Sequence, residues 1–528
     1  MTHIQTPTPA IDPMHYGIDP QTYARRWTIL GVLCLSLVLI VSAVSAVNVA
    51  LPAISRELRP SSTQLLWIVD AYAVVFAGLL LPFGALGDRF GRKGALQLGL
   101  GLFSGASILA AFSNGPAHLI ALRCLMGVGA ALVMPSTLSL LANIFPPMER
   151  AKAIAVWTGF AGAGGALGPV IGGAVLGHFW WGSVFFVSVP IALIALVGVT
   201  LLAPKSKESK VVPLDPIGAS LSILGFGSLL YGIIEGPDKG WTSPTAITAF
   251  VVALVALTSF VLWERRSAHP MLDPKFFKIP RFATGAFAVT FTFMAAFSQF
   301  FVLTQYLQYI KGYSALGAAV RGLPFALTLI VISPRAVELS RRFGTKRLVV
   351  FGMALVPIGL ILLSLVGPKT PYWAIIPILV ISGSGMALAI PSLSSGIVMA
   401  LPLDKAGVGS AMNDTTREVG GAIGIAVLGT VINSRFRSGM HGSLVTLPKA
   451  VADVAKQGLG QTVAVIQHGS FAQPFSTHLL QTARHSFLDG MHLGLRIIAV
   501  IGIVAMLYVA RAFPPVNAET PQHGPARH

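Results

Sequence analysis

Apolar runs of about 20 residues, the length of a helix that crosses a bilayer, recur fourteen times between Trp27 and Ala510. Their approximate limits are 27–50, 65–86, 95–112, 118–138, 153–176, 184–203, 217–236, 246–263, 282–308, 316–336, 347–366, 374–396, 408–432 and 493–510. Charged residues, prolines and glycines mark the breaks. In hydrocarbon every backbone polar group must be bonded within its own segment, so each run is expected to be a helix. The runs fill the chain and leave no stretch for a large soluble domain. Composition agrees: 54% of the 528 residues are hydrophobic and 11% are charged, against about 25% charged in soluble domains. The expected fold class is therefore an all-α polytopic membrane protein. Runs 217–236 and 316–336 are the least continuous, because they contain glycine, proline or charge.

Loop charge sets the direction of the spans. With the N-terminus inside, the six inner loops hold 18 Lys and Arg, and the six short outer loops hold five, Arg56, Arg59, Lys239, Lys311 and Lys369. Basic residues accumulate in cytoplasmic loops, so both termini are expected in the cytoplasm. The net charge of +18, which in a soluble protein would suggest nucleic acid, is accounted for by topology. Residues 1–24 are polar with four prolines, so they read as a cytoplasmic tail rather than a signal peptide. Cys34 and Cys124 both fall inside apolar runs and read as buried thiols, not a disulfide.

Two inner loops repeat one another. "GALGDRFGRK" fills 84–93 and "ELSRRFGTKR" fills 338–347, sharing the pattern Arg-Phe-Gly-x-Lys at Arg89–Lys93 and Arg342–Lys346. Each follows the second span of a prospective half. The organisation expected is a six-helix bundle over 25–203, two linker helices with flanking loops over 204–281, a second six-helix bundle over 282–510 and a tail over 511–528. A long outer connection over 433–492 contains "LPKAVADVAKQGLGQTVAVIQ", which reads as an interfacial or surface helix. Internal duplication around a midplane site is a transporter architecture.

On these residues the chain resembles the major facilitator superfamily. "GALGDRFGRK" is similar to its signature loop, "RCLMGVGAALVMP" at 123–135 to its fourth-helix motif, and "GGALGPVIGG" at 164–173 to the fifth-helix motif of its antiporters. With "LLWIVDAYAV" at 65–74 and fourteen spans, the likeness is to the 14-spanner drug:proton antiporters of the QacA/EmrB type. It covers about residues 25–510. It implies a major facilitator fold of two six-helix bundles plus two inserted helices. The implied activity is alternating-access efflux of a small molecule, cationic and lipophilic, in exchange for protons, from a multi-pass protein of the inner cell membrane. The same fold also serves exporters of metabolites, lipids or siderophores, and a receptor or channel is the reading from another class.

The signature loop supplies Gly84, Gly87 and Gly91 for a tight turn. It also supplies Asp88 as an acceptor for Arg89, Arg92 or a helix N-terminus, with Lys93 closing the motif. The resemblance implies a gating latch here; a solvated basic turn is the alternative. In the fifth span Gly164, Gly168, Gly172 and Gly173 read as one close-packing face, with Pro169 able to bend the helix.

A charge at the bilayer centre costs about 2.5–3.5 kcal/mol, so Asp414, Arg417 and Glu418 in "GSAMNDTTREVGG" need a reason. Asp414 lies about 13 Å into span 13 at 1.5 Å per residue, and Asn413 is beside it. The three charges could simply pair along their own helix. In the functional reading Asp414 or Glu418 faces a central cavity, where proton and cationic cargo compete for one carboxylate. Relatives carry an acid on the first span where this chain has Ala43 in "VSAVSAVNVALP", so Asp70 is a second candidate, paired with Arg123 at similar depth; capping of span 2 is its alternative role. Phe287, Phe291, Met294, Phe301 and Gln305 share a face of span 9 that could receive flat cations or face lipid.

No GxxxxGK[ST] loop for an ATP-driven pump, no HExxH and no paired cysteine ligands occur. The chain is expected not to be an enzyme and to use no cofactor or metal. Its expected partners are a small-molecule substrate, protons and membrane lipid, with no nucleic acid, and it is expected to act as a monomer.

Overall fold

The computed structural model describes residues 14, 18–60, 62–204, 215–402, 405–445, 447–468 and 475–514. Lys205, Lys207 and Lys210 of one basic inner loop, and most of both tails, lie outside the described residues. Among the described residues, fourteen helices are long and apolar enough to cross a membrane. They are α1 (Pro20–Leu58), α2 (Ser62–Phe90), α3 (Arg92–Ala111), α4 (Pro116–Ile144), α5 (Pro147–Leu176), α6 (Ser183–Leu202), α7 (Pro216–Lys239), α8 (Pro244–Arg266), α9 (Pro280–Ile310), α10 (Ala315–Phe343), α11 (Thr345–Leu363), α12 (Tyr372–Met399), α13 (Ala406–Leu444) and α14 (Phe475–Ala512). No strand occurs among the described residues. Local chemistry starts several helices. Asp19 accepts from Thr22 N at 2.9 Å, Asp215 from Gly218 N at 2.8 Å and Ser314 from Gly317 N at 3.0 Å, each satisfying an orphan donor of a first turn.

The two halves repeat one packing scheme. In the first, α1 packs on α5, α3 on α4, α2 on α4 and α3 on α6; in the second, α9 packs on α13, α11 on α12, α10 on α12 and α11 on α14. Proline positions correspond as well, Pro135 inside α4 with Pro391 inside α12, and Pro82 inside α2 with Pro334 inside α10. Glycines set the closest approaches. A Cβ on Gly99 would lie 2.7 Å from Gly129 O, and one on Gly352 would lie 2.6 Å from Gly385 O. Across the seam, α2 packs on α13 and α5 on α10.

Helices α7 and α8 form a hairpin whose α7 packs against both α2 and α13, so it lies along one side of the seam. Trp67 stacks on Tyr231 at 5.6 Å, and Trp241 Nε1 donates to Thr430 Oγ1 at 3.0 Å. At the inner end the buried Glu264 accepts the N–H of Leu272 at 3.2 Å, while Lys405 Nζ donates to Pro270 O at 3.4 Å. The hairpin is thereby tied to the first residue before α13.

The segment expected as an outer loop over 433–492 is mostly helix. Helix α13 continues to Leu444 and α14 begins at Phe475. At 39 and 38 residues, each exceeds the roughly 20 residues a bilayer needs, so both project beyond it. Polar residues such as Asn433, Arg435 and Arg437 end the apolar run but do not end the helix. The amphipathic stretch folds as two short helices, Lys449–Ala455 and Leu459–His468, rather than one. They dock inward: Leu459 and Thr462 are buried, and Gly460 abuts the Tyr309 hydroxyl at the outer end of α9.

The close approach of α9 to α13 is testable. A Cβ on Gly424 would collide with Met294 O, whereas nothing lies within 4 Å of a Cβ on Gly101. Overpacking of a filled contact costs about 1–3 kcal/mol. Gly424→Val should lower the thermal unfolding midpoint of the purified protein and Gly101→Ala should not. Equal midpoints would show that the approach is not tight.

Candidate functional site

Charged groups along the seam between the bundles form the candidate site, at two levels. The inner level begins where α2 ends. Gly91 takes φ 111°, a conformation that suits glycine, and the chain reverses into α3; Gly344, at φ 88°, makes the same turn between α10 and α11. The last turn of α2 holds Asp88, which is buried. Its carboxylate accepts from Arg92 Nε at 2.8 Å and from Ser139 Oγ at 3.4 Å. It also accepts the backbone N–H groups of Gly407 at 2.8 Å and Val408 at 3.3 Å. These are the orphan donors of the first turn of α13, so an anion of one bundle caps a helix of the other. A Cβ on Gly407 would lie 2.6 Å from Asp88 Oδ2 and 2.6 Å from Gly84 O. Only glycine at 84 and 407 permits this approach.

The rest of the signature loop is divided. Arg92 holds Asp88, but Lys93 Nζ donates to Thr200 O at 2.8 Å and Ala203 O at 2.7 Å, closing the end of α6 within its own bundle. Arg89 lies over Phe90 at 5.0 Å. Gly87 packs near Ser136 of α4.

The outer level lies in the third and fourth turns of α13. Asp414 and Asn413 are fully buried and Arg417 is 6% exposed, while Glu418 is half-buried. Arg417 Nη1 donates to Asp414 Oδ1 at 3.3 Å, and Asn413 Nδ2 donates to the same oxygen at 3.4 Å. Asn413 therefore backs Asp414 rather than lining an open face. The guanidinium lies 4.6 Å from the Phe293 ring and 5.9 Å from the Trp157 ring. Glu418 is close enough to Tyr72 of α2 for the two to interact electrostatically.

Asp70 lies eight residues past the first residue of α2, which rules out the capping role. Arg123 is fully buried on α4. Its Nε donates to Ile68 O at 2.9 Å and its Nη2 to Val69 O at 3.4 Å, and it lies 4.7 Å from the Tyr72 ring. Asp70 and Arg123 sit near enough to interact electrostatically, but the hydrogen bonds of Arg123 in this conformation go to carbonyls of α2.

In α5, Gly164 and Gly172 face Val41 and Ala46 of α1, and Gly168 abuts Ser42 O. Gly173 instead faces Leu316 of α10, because one further residue turns it about 100° around the helix. Pro169 lies inside the helix. On α9, Phe287 contacts Phe291 at 4.5 Å and Tyr508 of α14 at 4.7 Å, so this pair faces its own bundle. Met294 is buried against α13. Phe301 and Gln305 lie farther out, half-buried. The ring that reaches the central charges is Phe293, on another face. Trp157, Tyr72 and Gly407 were also not singled out by sequence reasoning. One signal was legible: "GGALG" at 164–168 has a twin, "GGAIG" at 420–424, and Gly420 and Gly424 abut Thr290 O and Met294 O of α9 as Gly164 and Gly168 abut α1.

At the outer ends, a cavity of about 700 Å³ opens between α1, α5 and α10, lined among others by Glu57, Trp180 and Leu316. Asp88→Asn should loosen the inner junction. Spin labels at Gly94 and Phe343, in a background without Cys34 and Cys124, should report a longer inner distance in that variant. An unchanged distribution would remove Asp88 from the latch.

The Major Facilitator Superfamily profile matches residues 33–425. The chain is 35% identical over 494 residues to the multidrug efflux pump LfrA of Mycolicibacterium smegmatis, covering 93% of this chain and 97% of that protein. It is 31% identical over 469 residues to the methyl viologen resistance protein SmvA of Salmonella typhimurium, covering 88% and 93%. Among solved structures, the human organic anion transporter MFSD10 matches with a TM-score of 0.60 at 14% identity, over 93% of this chain and 100% of that one. A bacterial homologue of the human lysosomal transporter Spinster matches with 0.59 at 17%, over 94% and 98%. At such identities these structures speak to the fold alone. With the profile, the full-length relatives and the duplicated helical architecture in agreement, the chain belongs to the Major Facilitator Superfamily, as a multi-pass membrane transporter and not an enzyme.

Proposed function

We propose that this protein exports lipophilic, cationic drugs or other small toxic molecules in exchange for protons, by alternating access between its two bundles. The observation that carries the reading is the buried Asp414 with Arg417 at the seam, about 10 Å along α13 from the Asp88 cap that joins the bundles at their inner ends. Relatives named for multidrug efflux and for drug resistance support the cargo class.

The physical argument is one of competition. A carboxylate buried in hydrocarbon needs a positive partner or a proton. A cationic cargo and a proton satisfy the same need and exclude one another. In this reading Glu418 and Asp70, within electrostatic reach of Tyr72 and Arg123, are further acids that share the proton. When the bundles rock, contacts such as Asp88 to α13 must break, and the new state must offer each charge a new partner. Exchange of one proton for one monovalent cation moves no net charge, so the pH gradient drives it. Each pH unit supplies about 1.4 kcal/mol, which sustains roughly a tenfold concentration ratio.

The test is efflux of a fluorescent lipophilic cation from vesicles of defined orientation. The wild type should build a ratio that rises roughly tenfold per imposed pH unit. Asp414→Asn and Asp70→Asn, present at wild-type levels in the membrane, should lose that dependence. Uphill export that ignores the pH gradient, or survives both changes intact, defeats the proposal.

A further inference from the structure

Arg417 is held unlike the other buried arginines. Arg92 makes two contacts of 2.8 Å to Asp88, and Arg123 makes two hydrogen bonds to helix carbonyls. Arg417 makes one hydrogen bond, at 3.3 Å, longer than the 2.7–2.9 Å or so of a well-formed charge-assisted bond. Its Nε has no hydrogen-bond partner among the described residues, and neither has Asp414 Oδ2. Besides Asp414, and with Glu418 within electrostatic reach, two rings lie by the guanidinium. Phe293 comes from α9 of one bundle and Trp157 from α5 of the other. Trp157 is 1% exposed and its ring is fixed, since Nε1 donates to Thr137 Oγ1 at 3.2 Å.

Two aromatic faces and one carboxylate in a dry site are the elements that recognise an organic cation: the rings supply quadrupole attraction and the carboxylate supplies charge. A planar guanidinium is the side chain that can fill such a site without covalent change. It satisfies the site only loosely, as a group would that must also leave.

We infer that Arg417 is the resident occupant of an organic-cation site made by Trp157, Phe293 and Asp414, and that a monovalent lipophilic cation binds by displacing its guanidinium. The inference deepens the reading of Asp414 as a transport acid and rests on it. Arg417 sets specificity: it keeps Asp414 compensated when no cargo is present, and it admits only cations that outcompete a guanidinium for two rings and a carboxylate. Because the rings come from different bundles, the site is complete only while α5 and α9 both face α13.

The experiment is equilibrium binding of tetraphenylphosphonium to purified protein in lipid nanodiscs, with no gradient present. Arg417→Gln removes the competitor and should tighten binding at least tenfold. Adding Asp414→Asn, or Trp157→Leu, to that variant should abolish the gain. A merely structural role for Arg417 would not give a gain that depends on those two residues. If Arg417→Gln proves unstable, Arg417→Lys serves, since its compact ammonium stacks poorly on rings; it should tighten binding by a smaller factor. Unchanged or weaker binding in the folded variant, a gain indifferent to Asp414 and Trp157, or no binding by any of these proteins overturns the inference. The outcome is separable from the transport proposal, because binding is read at equilibrium with no gradient: gradient-insensitive efflux would defeat coupling and leave this site standing.

Discussion

A charge that enters hydrocarbon must find a partner there, and in this protein the partners lie along or across the junction of two bundles. Asp88 of α2 is satisfied by Arg92 and by the first N–H groups of α13. Arg417 of α13 is held, more loosely, by its neighbour Asp414 and by rings from α5 and α9. Arg123 of α4 donates to carbonyls of α2 and lies beside the Tyr72 ring. Removing one member of a buried pair costs about 3–5 kcal/mol. The bundles therefore cannot move apart without re-partnering charge. Movement of the bundles and the partnering of buried charge are thereby linked.

The duplication supplies the frame for such movement, but the two copies are not electrically equal. Both halves bring paired helices together at glycines and turn at a positive-φ glycine before the third helix. Where the first half presents Asp88 to α13, the matching position in the second half is Arg341. Its Nη2 donates to Met148 O in the first turn of α5 at 3.4 Å. The acid on that side is Glu149 of α5 itself, paired with Arg26 at 2.7 Å. A carboxylate at a helix N-terminus is the favourable arrangement, and the two sides obtain it from opposite partners. The inner seam therefore has one cross-bundle cap, from Asp88, and on the other side one longer hydrogen bond from Arg341 to a carbonyl.

Much of this was legible beforehand, for identifiable reasons. All fourteen spans were found, because a bilayer demands continuous apolar helices and composition records that demand directly. The turns at Gly91 and Gly344 were legible because the pattern Arg-Phe-Gly-x-Lys repeats in two loops. The ends of α13 and α14 were missed: past the bilayer a helix continues on hydrogen bonds and packing, and polarity no longer marks where it stops. The aromatic face of α9 stayed open between a cavity and lipid. Seven phenylalanines surround that helix between Phe282 and Phe301, so periodicity could not say which face met Arg417 and which met Tyr508. The four glycines of α5 split between α1 and α10 because adjacent residues point about 100° apart.

By itself the sequence determined a fourteen-helix membrane protein with duplicated halves, a direction in the bilayer and a short list of buried charges. Those follow from the thickness of hydrocarbon, the bias of basic residues and the cost of burying charge, all of which act locally along the chain. Which charges meet was decided by tertiary structure alone. Asp88 and Gly407 are over three hundred residues apart, and Trp157 and Phe293 stand in different bundles. Only the glycine-to-backbone approach of helices from different halves brings such groups within hydrogen-bond or ring contact, and no local pattern encodes that distance.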